Sequence, residues 1–122
     1  MKFLSVLLIT LLLTACQSTP KPAGSIYGRW ATSFKDGSKV LVVFRENGTH
    51  DYFINGKLFS SGHFRISQDM LEEADPICNP DYYARYRITF PSAEELQLVV
   101  IEDTCKPRIH DLDGIRMSRE KK

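Results

Sequence analysis

Long hydrophobic runs are missing from this chain: the longest, residues 3–13, has eleven positions and is interrupted by Ser5 and Thr10. As a helix it would span about 16 Å, roughly half of a ~30 Å hydrocarbon core, which argues against a permanent membrane-spanning segment. An excess of charge of one sign is missing too, with 16 Lys and Arg against 15 Asp and Glu, so there is no electrostatic footprint for nucleic acid. There is no Gly-rich phosphate loop. Histidines are few, and the spacing of His50, His63 and His110, even with Asp51, fits no metal motif. They are expected to be exposed or singly hydrogen-bonded on turns and strand surfaces. Ser60, Ser61 and His63 do not make a nucleophilic triad, because Ser61 and His63 share a strand and no orienting acid is identified. Glu72, Glu73 and Asp75 read as a solvated edge rather than an acid/base pair. These absences point away from an enzyme and from any cofactor.

What is present begins with an address. Lys2 precedes the short apolar run, and small residues then lead to Cys16, the order of a secretory signal. Leu13-Thr14-Ala15-Cys16 resembles the bacterial lipobox. The resemblance implies that the Cys16 sulfur carries diacylglycerol, that residues 1–15 are cleaved off, and that the new N-terminus is acylated. Several acyl chains at ~0.8 kcal/mol per buried methylene hold such a protein stably to a bilayer. Gln17 at the second mature position is similar to lipoproteins that diderm bacteria pass to the outer membrane. The expected location is therefore the cell envelope, on either face of the outer membrane. Residues 16–25 are polar, rich in Pro and Ser and without periodicity, and are expected to form a flexible tether. Cleavage of residues 1–15 from the 122 leaves 107, with Lys2 lost and 15 basic residues balancing 15 acidic ones. One domain with one core, residues 26–122, is the expectation.

Aromatic, Val, Ile and Thr residues are frequent and favour strands. Alternation over residues 28–34 puts Trp30, Thr32 and Phe34 on one face. A strand over 39–46 follows the turn at Asp36-Gly37-Ser38. Asn47-Gly48 and Asn55-Gly56 are hairpin signals on either side of a strand over 49–54. Residues 57–66 return, with Gly62 expected at a bulge or bend. For the first hairpin, a two-residue turn would pair Val42 with Phe53. A three-residue turn would pair Phe44 with His50 and Val42 with Tyr52, and is preferred.

A short strand over 69–73 and a Pro-containing loop over 74–81 lead to a strand over 82–90, whose inward residues are Tyr86, Ile88 and Phe90. With residues 91–95 as a loop, Phe90 meets Leu96, Ile88 meets Leu98 and Tyr86 meets Val100. A one-residue slip would set Arg87 opposite Leu98. The last strand is expected between residues 109 and 118, disturbed at Asp113-Gly114, and no segment reads as a convincing helix.

Three cysteines is an odd number for a secreted protein. Acylation of Cys16 removes the anomaly and leaves Cys78 and Cys105 in an oxidising compartment. Continuing the ladder from Phe90 and Leu96 brings Cys105 opposite about residue 81, within loop reach of Cys78. A disulfide there would stabilise the fold by roughly 3 to 4 kcal/mol in the chain-entropy treatment.

About eight antiparallel strands with short connections make an all-β, up-and-down barrel the expected fold. Gly28-Arg29-Trp30 resembles the Gly-x-Trp of lipocalins. The hairpins through Phe44–Gly48 and Ser61-Gly62-His63-Phe64, with Cys78, Tyr86, Leu96-x-Leu98, Asp103-Thr104-Cys105-x-x-Arg108 and Gly114, are similar to small secreted lipocalin-like domains over residues 28–118. The chain departs from the larger family in its compact size and in lacking a clear C-terminal helix. The resemblance implies an Arg from the last strand packed across the Trp30 ring, with Arg116 the first candidate and Arg119 and Arg108 the rivals.

Trp30, Phe44, Tyr52, Phe64 and Tyr86, together with Phe34 and Phe90, either fill the core or line a space for a small apolar or amphipathic ligand. Tyr82-Tyr83 could form a contact patch at the barrel mouth. The function expected first is ligand binding by an outer-membrane-anchored barrel. The alternative is an envelope protein-interaction module, an assembly accessory or an inhibitor of a secreted enzyme, acting through residues 78–83 and 106–110. Mass analysis of the mature protein without reduction should find no free thiol; two free thiols would overturn the pairing of Cys78 with Cys105.

Overall fold

The structure, a computed structural model, describes residues 24–121. The signal segment, Cys16 and the tether through residue 23 lie outside the described residues. Eight antiparallel strands close a barrel in sequence order: β1 (Gly28–Ser33), β2 (Lys39–Phe44), β3 (Thr49–Ile54), β4 (Lys57–Ser67), β5 (Met70–Ala74), β6 (Ala84–Ser92), β7 (Glu95–Glu102) and β8 (Arg116–Arg119), with β8 paired to β1. The all-β, up-and-down barrel read from the strand pattern is the observed fold.

Turn chemistry sets the registers. Gly48 has φ 83°, and the Arg45 N–H donates to the Thr49 carbonyl at 3.0 Å, so the first hairpin turns through three residues and pairs Phe44 with His50 and Val42 with Tyr52. Asn55 (φ 50°) and Gly56 (φ 80°) form the left-handed two-residue turn that favours Asn-Gly and pair Ile54 with Lys57. Ile88 meets Leu98 and Tyr86 meets Val100.

Four local expectations are corrected. β6 does not stop at Phe90: it runs through Pro91 to Ser92, which meets Glu95, and the register shifts between Thr89 and Ser92. A Pro there lies at an irregularity, where its missing N–H is tolerated. Phe90 therefore does not form a regular pair with Leu96: it falls within the shift, under Gly24 and 6.4 Å from the Trp30 ring. The irregularity of β4 falls between Tyr52 and Phe53, where Phe53 meets Leu58, and not at Gly62, which pairs with His50. A helix, α1 (Lys106–Leu112), occupies part of the segment expected as the last strand, and β8 is correspondingly short and late.

Alternation and strand parity divide the barrel into two ends. The chain enters at residue 24 and leaves after β8 at the same end as the turns at 45–48, 68–69 and 93–94. The opposite, loop end carries the turns at 34–38 and 55–56, the loop at 75–83 and α1. At the entry end the Trp30 indole N–H donates to the Ile26 carbonyl at 2.7 Å. The Arg119 guanidinium lies 4.3 Å above the Trp30 ring and donates to the carbonyls of Ser25 and Tyr27. Arg119, not Arg116, is thus the arginine across the tryptophan. Arg116 belongs to the outward face and pairs with Glu95 at 3.8 Å. A cation over an indole contributes about 0.5–2 kcal/mol, and here it also fastens the incoming chain across the barrel floor.

Gly62 is required by close approach: a Cβ on it would lie 2.2 Å from the Ala74 carbonyl oxygen and 2.8 Å from the Asp75 Cβ. Both obstacles belong to a paired strand and its end, so neither can swing aside. Gly62→Ala should lower stability by about 2 kcal/mol or more, read as a depressed denaturant midpoint. An unchanged midpoint would show that β4 and β5 do not approach this closely.

Candidate functional site

All five aromatic residues expected to face inward do so. Trp30 and Tyr86 are fully buried, and Phe44, Tyr52 and Phe64 nearly so. They do not surround an open space. Phe44 meets Phe64 edge-on at 5.0 Å, and Val40, Val42, Leu71, Ile88, Leu96, Leu98, Leu112 and Met117 fill the rest of the interior. At the loop end, the crevice lined by Phe34, Ile54, Phe59 and Ile77 above Tyr52, Asp75 and Arg108 has a volume of about 20 Å³. That is room for one water-sized group, against several hundred Å³ for a small-molecule pocket.

The interior also holds a buried polar network. Arg108, Glu73 and Asp75 are almost wholly inaccessible. Glu73 and Asp75 were expected on a solvated edge. Instead, alternation along β5 turns Glu73 inward beside Leu71, and Asp75 follows at the strand end. α1 follows Cys105 as its N-cap, has Pro107 in its first turn, and projects Arg108 into the barrel. The Arg108 Nε and Nη2 donate to Asp103 at 2.7 and 2.9 Å, and Nη1 donates to Asp75 at 3.2 Å. The Asp103 carboxylate also accepts the Tyr86 hydroxyl at 2.5 Å and the Cys105 N–H at 2.8 Å. Asp75 accepts the Ile77 N–H, and the Tyr52 hydroxyl donates to Glu73 at 2.7 Å. The Cys78–Cys105 disulfide, S–S 2.04 Å, joins the 75–83 loop to the start of α1, so both segments that hold Arg108 are covalently tied.

Burial and charge shift these groups. Burial works to lower the Arg108 pKa, but the hydrogen bond to Asp103 and the charges of Asp75 and Glu73 outweigh it and raise the value. Burial works to raise Asp103, yet the hydrogen bonds from Arg108, Tyr86 and the Cys105 backbone hold it low. Glu73 is pushed up to about 7 by burial, opposed by the Tyr52 hydrogen bond and aided by the charge of Asp75. His50 was expected at the surface; it is fully buried among Phe44, Tyr52 and Phe64, and neither ring nitrogen has a hydrogen-bond partner. Burial depresses its pKa to about 4, so at neutral pH it is uncharged and its 3.9 Å approach to Asp75 is not an ion pair.

The remaining sequence candidates do not converge. His63 is exposed on β4, and His110 is exposed on α1 beside Asp111. Among the described residues no group of three or more His, Cys, Asp or Glu side chains could hold a metal ion. Tyr83 lies under the Arg65 guanidinium at 3.8 Å, and Tyr82 packs partly against the core, so the two do not form a free patch. The network of Arg108, Asp75, Asp103 and Glu73 escaped sequence reasoning. Its one legible signal was the phase of β5, which places Glu73 with Leu71.

The Glu73 shift has a definite sign. Its folded pKa of about 7 lies above the ordinary 4.5, so the folded state holds a proton that the unfolded state releases first. This contribution to stability is complete below about pH 4.5 and is lost as pH rises to about 7. Glu73→Gln should therefore gain stability relative to the parent between those values, with the difference levelling off above. Parallel denaturant titrations that show a pH-independent difference would overturn this assignment. No protein-family model, curated protein or solved structure gives a significant match to this chain.

Proposed function

We propose that the chain is a bacterial lipoprotein, anchored to the outer membrane through acylated Cys16, whose barrel acts as a protein-interaction module of the envelope. The observation that carries this reading is the filled interior: aromatic and aliphatic side chains occupy one part and the Arg108 network another, with about 20 Å³ left beneath the loop end. A small apolar or amphipathic ligand inside the barrel would have to displace core side chains, at several kcal/mol for each large residue expelled. Recognition is then a matter of the outer surface.

Topology favours the same reading. The tether joins the barrel at its entry end, while the disulfide, the 75–83 loop and α1 are gathered at the opposite end. A domain held to a bilayer by residue 16 would leave that more elaborate end free of the attachment point. No enzymatic step is assigned, because the buried carboxylates are engaged with Arg108 and Tyr52 and face no space in which a substrate could sit.

Native mass spectrometry of the lipoprotein extracted from envelopes should give the mass of the acylated mature chain with its disulfide and no retained small molecule, and cross-linking in intact cells should join it to one envelope protein in fixed stoichiometry. Cys16→Ser should abolish palmitate incorporation and release the protein from the membrane fraction. A lipid or metabolite retained in the barrel would overturn the module reading, and membrane retention of the Cys16→Ser chain would overturn the anchor.

A further inference from the structure

We propose that the outer face of β1–β4 is a docking groove for an apolar segment of another envelope protein, a segment that carries carboxylates beside its apolar anchor. This inference rests on the interaction-module reading and gives it a place and a chemistry. Four strands in register put Ala31 beside Leu41, Leu41 beside Phe53 and Phe53 beside Leu58. Their sequence neighbours Trp30, Val42, Tyr52 and Val40 are core residues, so alternation places this row on the outside. Leu58 is 59% exposed. The row borders an open groove of about 640 Å³ that extends from Arg29 and Glu120 at the entry end, past Ala31, Leu41 and Phe53, to Lys39 and Gly56 at the loop end. That is room for a few side chains of a partner.

Elsewhere the outer surface has exposed Val99 and Ile101 on β7, a strand that pairs with none of β1–β4. Across β4–β8 it carries paired charges: Arg65 with Glu72 at 2.9 Å, Arg87 with Asp69 at 3.5 Å and Arg116 with Glu95 at 3.8 Å. An apolar row that runs unbroken through four neighbouring strands marks a contact surface.

Charge identifies the occupant. The carboxylates beside the row are already engaged, Asp51 with Arg45 and Glu120 with Arg29. Among the described residues Lys39 and Lys57 have no ion-pair partner, and they stand at the groove and at the hairpin that ends it. The charge left uncompensated is positive, which fits an acidic partner. A second copy meeting this face by two-fold symmetry would bring lysines against lysines. A bilayer would meet a convex ridge better than a groove.

The test is selection from a random-peptide display library on the mature lipoprotein in detergent, followed by affinity measurement on the selected peptides. Selected sequences should combine a large apolar residue with nearby Asp or Glu. Phe53→Ser or Leu58→Ser should weaken them at least about tenfold, and Lys39→Glu with Lys57→Glu should weaken them and flatten their salt dependence. Leu58 is so exposed that its replacement should leave the thermal midpoint unchanged, which keeps the test open if the Phe53 variant fails to fold. Peptides that bind undiminished to these variants but are lost on substitution of exposed α1 residues would overturn the groove while sparing the module reading. A library that yields no binder would count against both. Binding of the groove to anionic phosphatidylglycerol vesicles, or self-association of the chain abolished by Leu58→Ser, would overturn the acidic protein partner.

Discussion

A guanidinium taken wholly out of water holds the loop end together. Arg108 comes from a helix of seven residues, too short to persist alone, and reaches between Asp103 at the end of β7 and Asp75 at the end of β5. Burying that charge is costly, and the cost is offset only because three of its nitrogens donate to two carboxylates, one of which also accepts hydrogen bonds from the Tyr86 hydroxyl and a backbone N–H. Removing one member would leave an uncompensated buried charge, a loss of about 3–5 kcal/mol in comparable pairs. The disulfide acts on the same segments: it ties Cys78 in the 75–83 loop to Cys105, three residues before Arg108, so helix, loop and strand ends are one unit.

The opposite end repeats the device with a different chemistry. There Arg119 keeps its head partly solvated, spreads over Trp30 and donates to two backbone carbonyls of the entering chain. One arginine thus fastens the chain across the floor and another locks the loops at the far end, with the apolar and aromatic residues packed between them. A barrel closed in this way at both ends has little interior left to offer a ligand.

Much of this is legible in the sequence. A side-chain period of two allows only one register in which Tyr86 and Ile88 face Val100 and Leu98, and of the two turns open at Asn47-Gly48 the preferred three-residue one is the one that places Phe44 opposite His50. The pairing of Cys78 with Cys105 follows from the same ladder. α1 was not legible, because seven residues with Pro107 and Arg108 among them show no amphipathic period; the helix exists where burial of Arg108 and Leu112 stabilises it. Arg116 and Arg119 are three residues apart on an extended strand, hence on opposite faces, and only the actual phase of β8 against β1 decides which of them meets the tryptophan.

The chain by itself determined the strands, their turns, most of their pairings and the disulfide, because backbone geometry and alternation act over a few residues at a time. Tertiary structure alone decided that Glu73, Asp75 and His50 are buried rather than solvated, since burial depends on what closes over a strand end from 30 residues away. It alone aligned Ala31, Leu41, Phe53 and Leu58 into one exposed row, as no segment contains more than one of them and only lateral pairing makes them neighbours.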